Sequence, residues 1–148
     1  FTPQMIVNGK KSCIGSDRAQ IENAIQMTLK GHMRLPVDVT VSEQNGMVTI
    51  SVAEVAEPAR REALVWVLPV LRSQTVPIER GENKGRTVTY ANVVRGFKRV
   101  GEWRGGAARF ELPAATARSG GDGYIVLLQA AQDDRPSVIL GAAKSAGL

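Results

Sequence analysis

Leu35-Pro36-Val37-Asp38-Val39-Thr40-Val41-Ser42-Glu43-Gln44-Asn45-Gly46-Met47-Val48-Thr49-Ile50-Ser51-Val52 decides the fold. Val37, Val39 and Val41 alternate with Asp38, Thr40 and Ser42, so every second side chain is apolar, the period of a half-buried strand. Asn45-Gly46 supplies two residues that tolerate positive φ, the chemistry of a tight hairpin turn. Val48, Ile50 and Val52 then repeat the alternation, so the pattern predicts a hairpin of Val37–Ser42 with Met47–Ala53 whose valines are buried together. Downstream, Ala63–Leu71 (ALVWVLPVL) is apolar on both faces, which predicts a buried strand with Trp66 in the core and an irregularity at Pro69. Short strand patterns follow at Thr75–Glu79, Thr87–Val94, Phe97–Trp103, Arg109–Leu112, Tyr124–Ala130 and Val138–Ala142. Seven or eight strands with turn signals between them predict an antiparallel β-sandwich over residues 35–148.

Upstream the grammar differs. Met5-Ile6-Val7 ends at Asn8-Gly9, and Ser12–Gly15 reads as a returning strand. Ser16-Asp17 then opens a helix, with Asp17 as cap and Gln20 as its capping-box partner. Ile21, Ala24, Ile25, Thr28 and Leu29 form one apolar stripe of that helix. Gly31 is placed as its C-cap, and the segment Gly31–Leu35 reads as the boundary between a small module, residues 1–34, and the β domain.

Composition bounds the chemistry. The chain has 148 residues, 43% hydrophobic and 22% charged, ordinary for a globular protein, so it needs no metal or disulfide to fold. One cysteine, Cys13, excludes a disulfide framework and a cysteine-rich zinc site. One histidine, His32, argues against a histidine metal centre or a Ser-His-Asp triad. No cofactor is expected, and no catalytic constellation is visible. The longest apolar run, Ala63–Leu71, is far short of the roughly 20 residues that span a bilayer. The opening Phe1-Thr2-Pro3-Gln4 has neither a basic n-region nor an apolar h-region, and its lack of Met reads as a trimmed N-terminus.

Nineteen basic and fourteen acidic residues give a net charge of +5. The basic clusters, such as Lys10-Lys11, Arg60-Arg61 and Arg95/Lys98/Arg99, are short, and aromatics make up only 5%, so no nucleic-acid partner is expected. Cys13 has Lys10, Lys11 and a helix N-terminus nearby to activate its thiol, yet its place in a short strand suits a packed small hydrophobe. His32 is read as a solvated residue at a helix C-terminus, and Asp122 and Asp133-Asp134 as solvated turn acids. In Gly81–Val94, residues Glu82, Asn83, Arg86, Tyr90 and Asn92 are candidates for a polar ligand loop. Structurally, the same residues are a self-bracing loop, with Arg86 paired to Glu82 and Tyr90 packed.

Two resemblances extend this reading. Thr2-Pro3-Gln4-Met5-Ile6-Val7-Asn8-Gly9 followed by Ile14-Gly15-Ser16-Asp17 resembles the second half of thioredoxin- and glutaredoxin-like domains. That resemblance implies a cis Thr2–Pro3 bond and a substrate-binding loop of Thr2, Pro3, Gln4, Ser16 and Asp17. Pro77–Val94, Gly101-Glu102-Trp103 and the ending Ile139-Leu140-Gly141-Ala142-Ala143 resemble the bacterial secreted, thioredoxin-like family called domain of unknown function 1223. The family's first βαβ unit and its C-x-x-C-type motif have no counterpart in this chain. The combined expectation is an α+β chain: the C-terminal ββα half of a thioredoxin-like fold followed by an antiparallel β-sandwich. Its β domain would bind or scaffold; the alternative is part of a thiol-disulfide oxidoreductase whose cysteines lie upstream. The resemblance implies a periplasmic or secreted setting. The partner would be the missing N-terminal half, or a second copy through the Gln4–Asn8 edge.

Overall fold

The computed structural model describes residues 3–30, 35–56, 62–132 and 135–148. Phe1, Thr2, the boundary segment with His32, Arg60-Arg61 and Asp133-Asp134 lie outside the described residues, and so does the Thr2–Pro3 bond.

The hairpin read from valine alternation forms as β3 (Val39–Gln44) and β4 (Met47–Val52), paired antiparallel with Val41 opposite Ile50. Asn45 and Gly46 take φ of 52° and 72°, the two left-handed residues that a twist-matched two-residue turn requires. Val48, Ile50 and Val52 are fully buried, while Val39 and Val41 pack half-buried against them. Strand β8 (Ala108–Pro113) adds to β4 and completes a three-stranded sheet.

The second sheet is organised by one long strand. β5 runs from Ala63 to Pro77, through Pro69, where two separate strands are expected. One edge of β5 pairs with β9 (Gly123–Gln132), which pairs in turn with β10 (Arg135–Lys144). The other edge pairs first with β7 (Lys98–Trp103) and then with β6 (Thr87–Val94). Beyond Val70 only β6 accompanies β5, so the two form a ribbon extending past the sheet.

Valines and large side chains from both sheets fill the space between them: Val48, Ile50, Val65, Val67, Trp103, Tyr124, Val126 and Leu128 are all at most 1% exposed. A short helix, α2 (Ala114–Arg118), closes one end with Ala114 and Ala117. Trp66 is the exception to the expected core. Strand alternation sends Ala63, Val65 and Val67 inward, so Leu64, Trp66 and Leu68 point to the other face, half-buried. The core tryptophan is Trp103, whose indole N–H donates to the Gly106 carbonyl at 2.7 Å.

At the N-terminus, β1 (Gln4–Val7) and β2 (Lys11–Ile14) form a two-stranded hairpin against α1 (Arg18–Lys30). Its turn seats on β10: the Ile139 N–H donates to the Asn8 carbonyl at 3.2 Å. A Cβ on Gly9 would lie 3.1 Å from the Ser137 carbonyl oxygen.

The expected α+β class is therefore corrected. Among the described residues there are ten strands and only two helices, of thirteen and five residues, and the protein is mainly β. Among the described residues no thioredoxin half is shown: β1 and β2 stand as a two-stranded pair, joined to no central sheet that helices could cover. The two larger sheets also curl rather than stack as a simple sandwich. β3 meets β10 at one corner, where the Val37 N–H donates to the Leu140 carbonyl at 2.9 Å, and β7 meets β8 at another. Gly141 permits the first meeting, since a Cβ there would fall 2.6 Å from the Val37 carbonyl oxygen.

Candidate functional site

The predicted substrate loop is occupied by its own hydrogen bonds. Gly15 N–H donates to the Pro3 carbonyl at 2.8 Å, and Gln4 Nε2 donates to Ser12 Oγ at 2.9 Å. The helix N-terminus is filled by Asp17, whose Oδ1 accepts the Gln20 N–H at 3.0 Å. Gln20 Oε1 reaches back, as a capping-box partner does, but takes the Ile14 N–H at 3.2 Å. Ser16 is exposed beside them. Pro3, Gln4, Ser16 and Asp17 are thus brought together, in an arrangement that satisfies itself; Thr2 lies outside the described residues. Cys13, on β2, is 3% exposed and free, and that burial withholds it from exchange with an outside thiol.

The second candidate set is strung out along the ribbon. Glu82, Asn83 and Arg86 sit in the loop between β5 and β6, closed by Gly85 N–H to Ile78 carbonyl and Ile78 N–H to Arg86 carbonyl, both 2.8 Å. Arg86 Nη1 turns to Asn83 Oδ1, at 3.4 Å, rather than to Glu82 as expected. Tyr90 lies mid-strand opposite Gln74 and is 49% exposed, so it does not pack as expected. Asn92, with φ 51°, lies at the base of the ribbon. Asn92 lies six steps along the strand from Arg86, about 20 Å at the rise of a strand, so these side chains do not converge on one ligand.

The most perturbed ionisable groups arise where sequence offers no motif. Arg118, in the last turn of α2, donates from Nη1 and Nη2 to the two carboxylate oxygens of Glu43 on β3, both at 2.9 Å. Tyr124 on β9 donates its hydroxyl to Glu43 Oε2 at 3.3 Å, and the guanidinium lies 5.4 Å from the Tyr124 ring centroid. The Arg118 hydrogen bonds hold the Glu43 carboxyl below its ordinary pKa, and Glu43 in turn raises that of Arg118. Burial, reinforced by the Glu43 charge, pushes the Tyr124 phenol up. A carboxylate with both oxygens occupied by a guanidinium is a poor base, and a phenol held protonated is a poor nucleophile. The trio is a clamp that ties the two sheets to α2. With partners 75 and 81 residues apart, nothing local in the sequence announces it.

Grooves lined by described residues are also present. One of about 370 Å³ is apolar, between Val70, Ile125, Ala142 and Leu148. Another of about 460 Å³ is lined by Glu62, Arg99, Glu102 and Arg104, whose charges compensate: Glu102 pairs with Arg99 and, at 3.5 Å, with Arg104. The third, about 200 Å³, lies between Val7, Ala24 and Met27. Among the described residues no group of three His, Cys, Asp or Glu side chains could hold a metal ion, and no helix is long and apolar enough to cross a membrane.

No curated protein matches the chain. The crystal structure of protein AGR_C_4864 from Agrobacterium tumefaciens, a structural genomics target, is similar, with 28% sequence identity and a TM-score of 0.82. The match covers all of this chain and 63% of that one, so this chain spans less than two thirds of its solved relative. Residues 1–129, which hold the N-terminal hairpin, the β5–β6 ribbon and every strand up to β9, match the model of the family described as protein of unknown function (DUF1223), and the chain belongs to that family.

Proposed function

We propose that this chain is a binding or scaffolding domain whose partner seats on the β1–β2–α1 layer. One observation carries the reading: that layer leaves large apolar side chains in water. Ile6 and Ile14 are 56% and 43% exposed, on the face of the hairpin opposite Met5 and Cys13. Along α1, Ile25, Met27 and Leu29 are exposed as well, so the helix that buries Ala24 leaves much apolar area in water. Among the described residues β1 pairs with β2 alone, and its second edge offers backbone donors and acceptors to a further strand. Uncovered apolar area is worth about 25 cal/mol per Å², so a partner covering a few hundred Å² gains several kcal/mol.

The occupant proposed first is a polypeptide segment that adds a strand to β1, such as the part of the longer solved relative that has no counterpart here. A second copy pairing through Gln4–Asn8 is the alternative. The family resemblance supports a periplasmic or secreted setting. A thiol-exchange role draws no support from Cys13, which is buried. Light scattering on the chain, with Ile6→Lys beside it, tests the proposal. Self-association in the parent that the substitution removes is expected, because an open apolar edge without its segment pairs with copies of itself. A parent that stays monomeric at millimolar concentration, with rapid amide exchange at Gln4–Val7, would overturn it.

A further inference from the structure

The charges of the β1–β2–α1 layer bear on what covers it. Residues 3–30 carry Lys10, Lys11, Asp17, Arg18, Glu22 and Lys30. Arg18 Nε donates to Glu22 Oε1 at 2.7 Å, so that pair neutralises itself. Asp17 is occupied by the Gln20 N–H at the start of α1. Lys10, Lys11 and Lys30 remain, with no ion-pair partner among the described residues. They gather at one end of the layer. The groove of about 200 Å³ between hairpin and helix has Lys10 and Lys11 on one wall and Met27 and Thr28 on the other, and Lys30 ends α1 just beyond. The helix C-terminus offsets about half of one positive charge there, which leaves the excess of the other lysines unanswered.

Between the lysines the groove is apolar. Val7, Ala24 and Met27 line it, and the Thr28 hydroxyl beside them already donates to the Ala24 carbonyl at 2.8 Å. Its volume lies below the roughly 300–1,000 Å³ of a small-molecule pocket and suits one aliphatic side chain. Resting on the β1–β2–α1 reading, we propose that the polypeptide segment seated there is acidic where it passes the hairpin turn. An aliphatic side chain of that segment fills the groove, and neighbouring carboxylates meet Lys10 and Lys11. A second copy answers these lysines poorly, because its own Asp17 and Glu22 are already engaged. A nucleic acid fits less well, since no aromatic ring lines the groove to stack a base.

The test uses the 148-residue chain and two dye-labelled peptides, Thr-Val-Thr-Val-Thr-Leu-Glu-Glu and its neutral twin Thr-Val-Thr-Val-Thr-Leu-Gln-Gln. Fluorescence anisotropy in low salt measures the binding of each. The acidic peptide should bind about five- to tenfold more tightly, the order of two exposed lysine–carboxylate pairs. That preference should fade in molar salt, where the Debye length is about 3 Å. Lys10→Gln combined with Lys11→Gln should erase the preference while the neutral peptide binds as before. Met27→Asp should weaken both peptides by placing a charge in the apolar groove. All three positions are exposed, so the variants should melt with the parent. Equal binding of the two peptides, or a preference that survives loss of both lysines, would overturn the acidic partner and leave strand addition at β1 standing. Indifference to Met27→Asp, or displacement of the acidic peptide by a single-stranded oligonucleotide, would also overturn it. Failure of both peptides to bind, or binding of the neutral one untouched by Ile6→Lys, would overturn the β1–β2–α1 reading as well.

Discussion

Replacing Arg118 by Ala removes the centre of the clamp between the two sheets. Two guanidinium–carboxylate hydrogen bonds of 2.9 Å are lost, with the 5.4 Å contact to the Tyr124 ring. The side chains of Arg118 and Glu43 are 31% and 35% exposed, so solvent screens the pair. A fully exposed pair contributes about 0–1 kcal/mol, and a hydrogen bond to a charged group about 1.5–3 when buried. An intermediate site with bidentate geometry therefore contributes about 1–2 kcal/mol, or about 2–8 °C of melting temperature for a domain of this size. The decisive measurement is a double-mutant cycle of Arg118→Ala and Glu43→Gln in thermal and urea unfolding, which separates the pair from either side chain alone. A coupling of about 1 kcal/mol at neutral pH is expected. Because Glu43 has a lowered pKa when folded, its contribution is present above the unfolded carboxyl pKa and is lost as pH falls through the folded value. Tyr124 titrates higher when folded, so its share is full below the unfolded phenol pKa and disappears as pH rises through the folded one. A coupling indistinguishable from zero at pH 7, or one that grows in acid, would refute the clamp.

Gly141→Ala places a Cβ about 2.6 Å from the Val37 carbonyl oxygen, backbone that cannot swing aside, and should cost on the order of 1–3 kcal/mol in urea unfolding by forcing β3 from β10. Ser145→Ala leaves the buried Tyr124 N–H without its 3.0 Å acceptor and should destabilise by about 1–3 kcal/mol, read as a lower melting temperature. Cys13, 3% exposed, should react slowly with a thiol reagent in the native chain and fast in urea; equal rates would place it at the surface.

How much was legible follows from how far apart the interacting residues lie. The β3–β4 hairpin is local: six alternating residues, an Asn-Gly turn and six more carry register, face and turn geometry together. The Asp17 cap is likewise read from four residues. The clamp is invisible because Glu43, Arg118 and Tyr124 are ordinary surface residue types until tertiary structure joins them. The polar set Glu82 to Asn92 is dispersed for the reverse reason. Its residues are close in sequence, but an extended ribbon separates close neighbours instead of gathering them, as a compact loop would.

Trp66 shows where a correct observation led to the wrong layer. Ala63–Leu71 is apolar at every position, and a strand apolar on both faces ordinarily lies buried on both. Only the inward set, Ala63, Val65 and Val67, meets the core; the outward set meets no helix. The same inconsistency recurs on α1, whose apolar stripe exceeds what β1 and β2 cover. In both places sequence specifies burial that the described residues do not provide, while the charged residues of β7 and the Thr- and Asn-bearing ribbon are largely solvated as their composition requires. Local pattern records the environment in which a side chain works, whether or not that environment is present. Two separate surfaces with the same excess of apolar residues are therefore where a covering element would gain the most free energy.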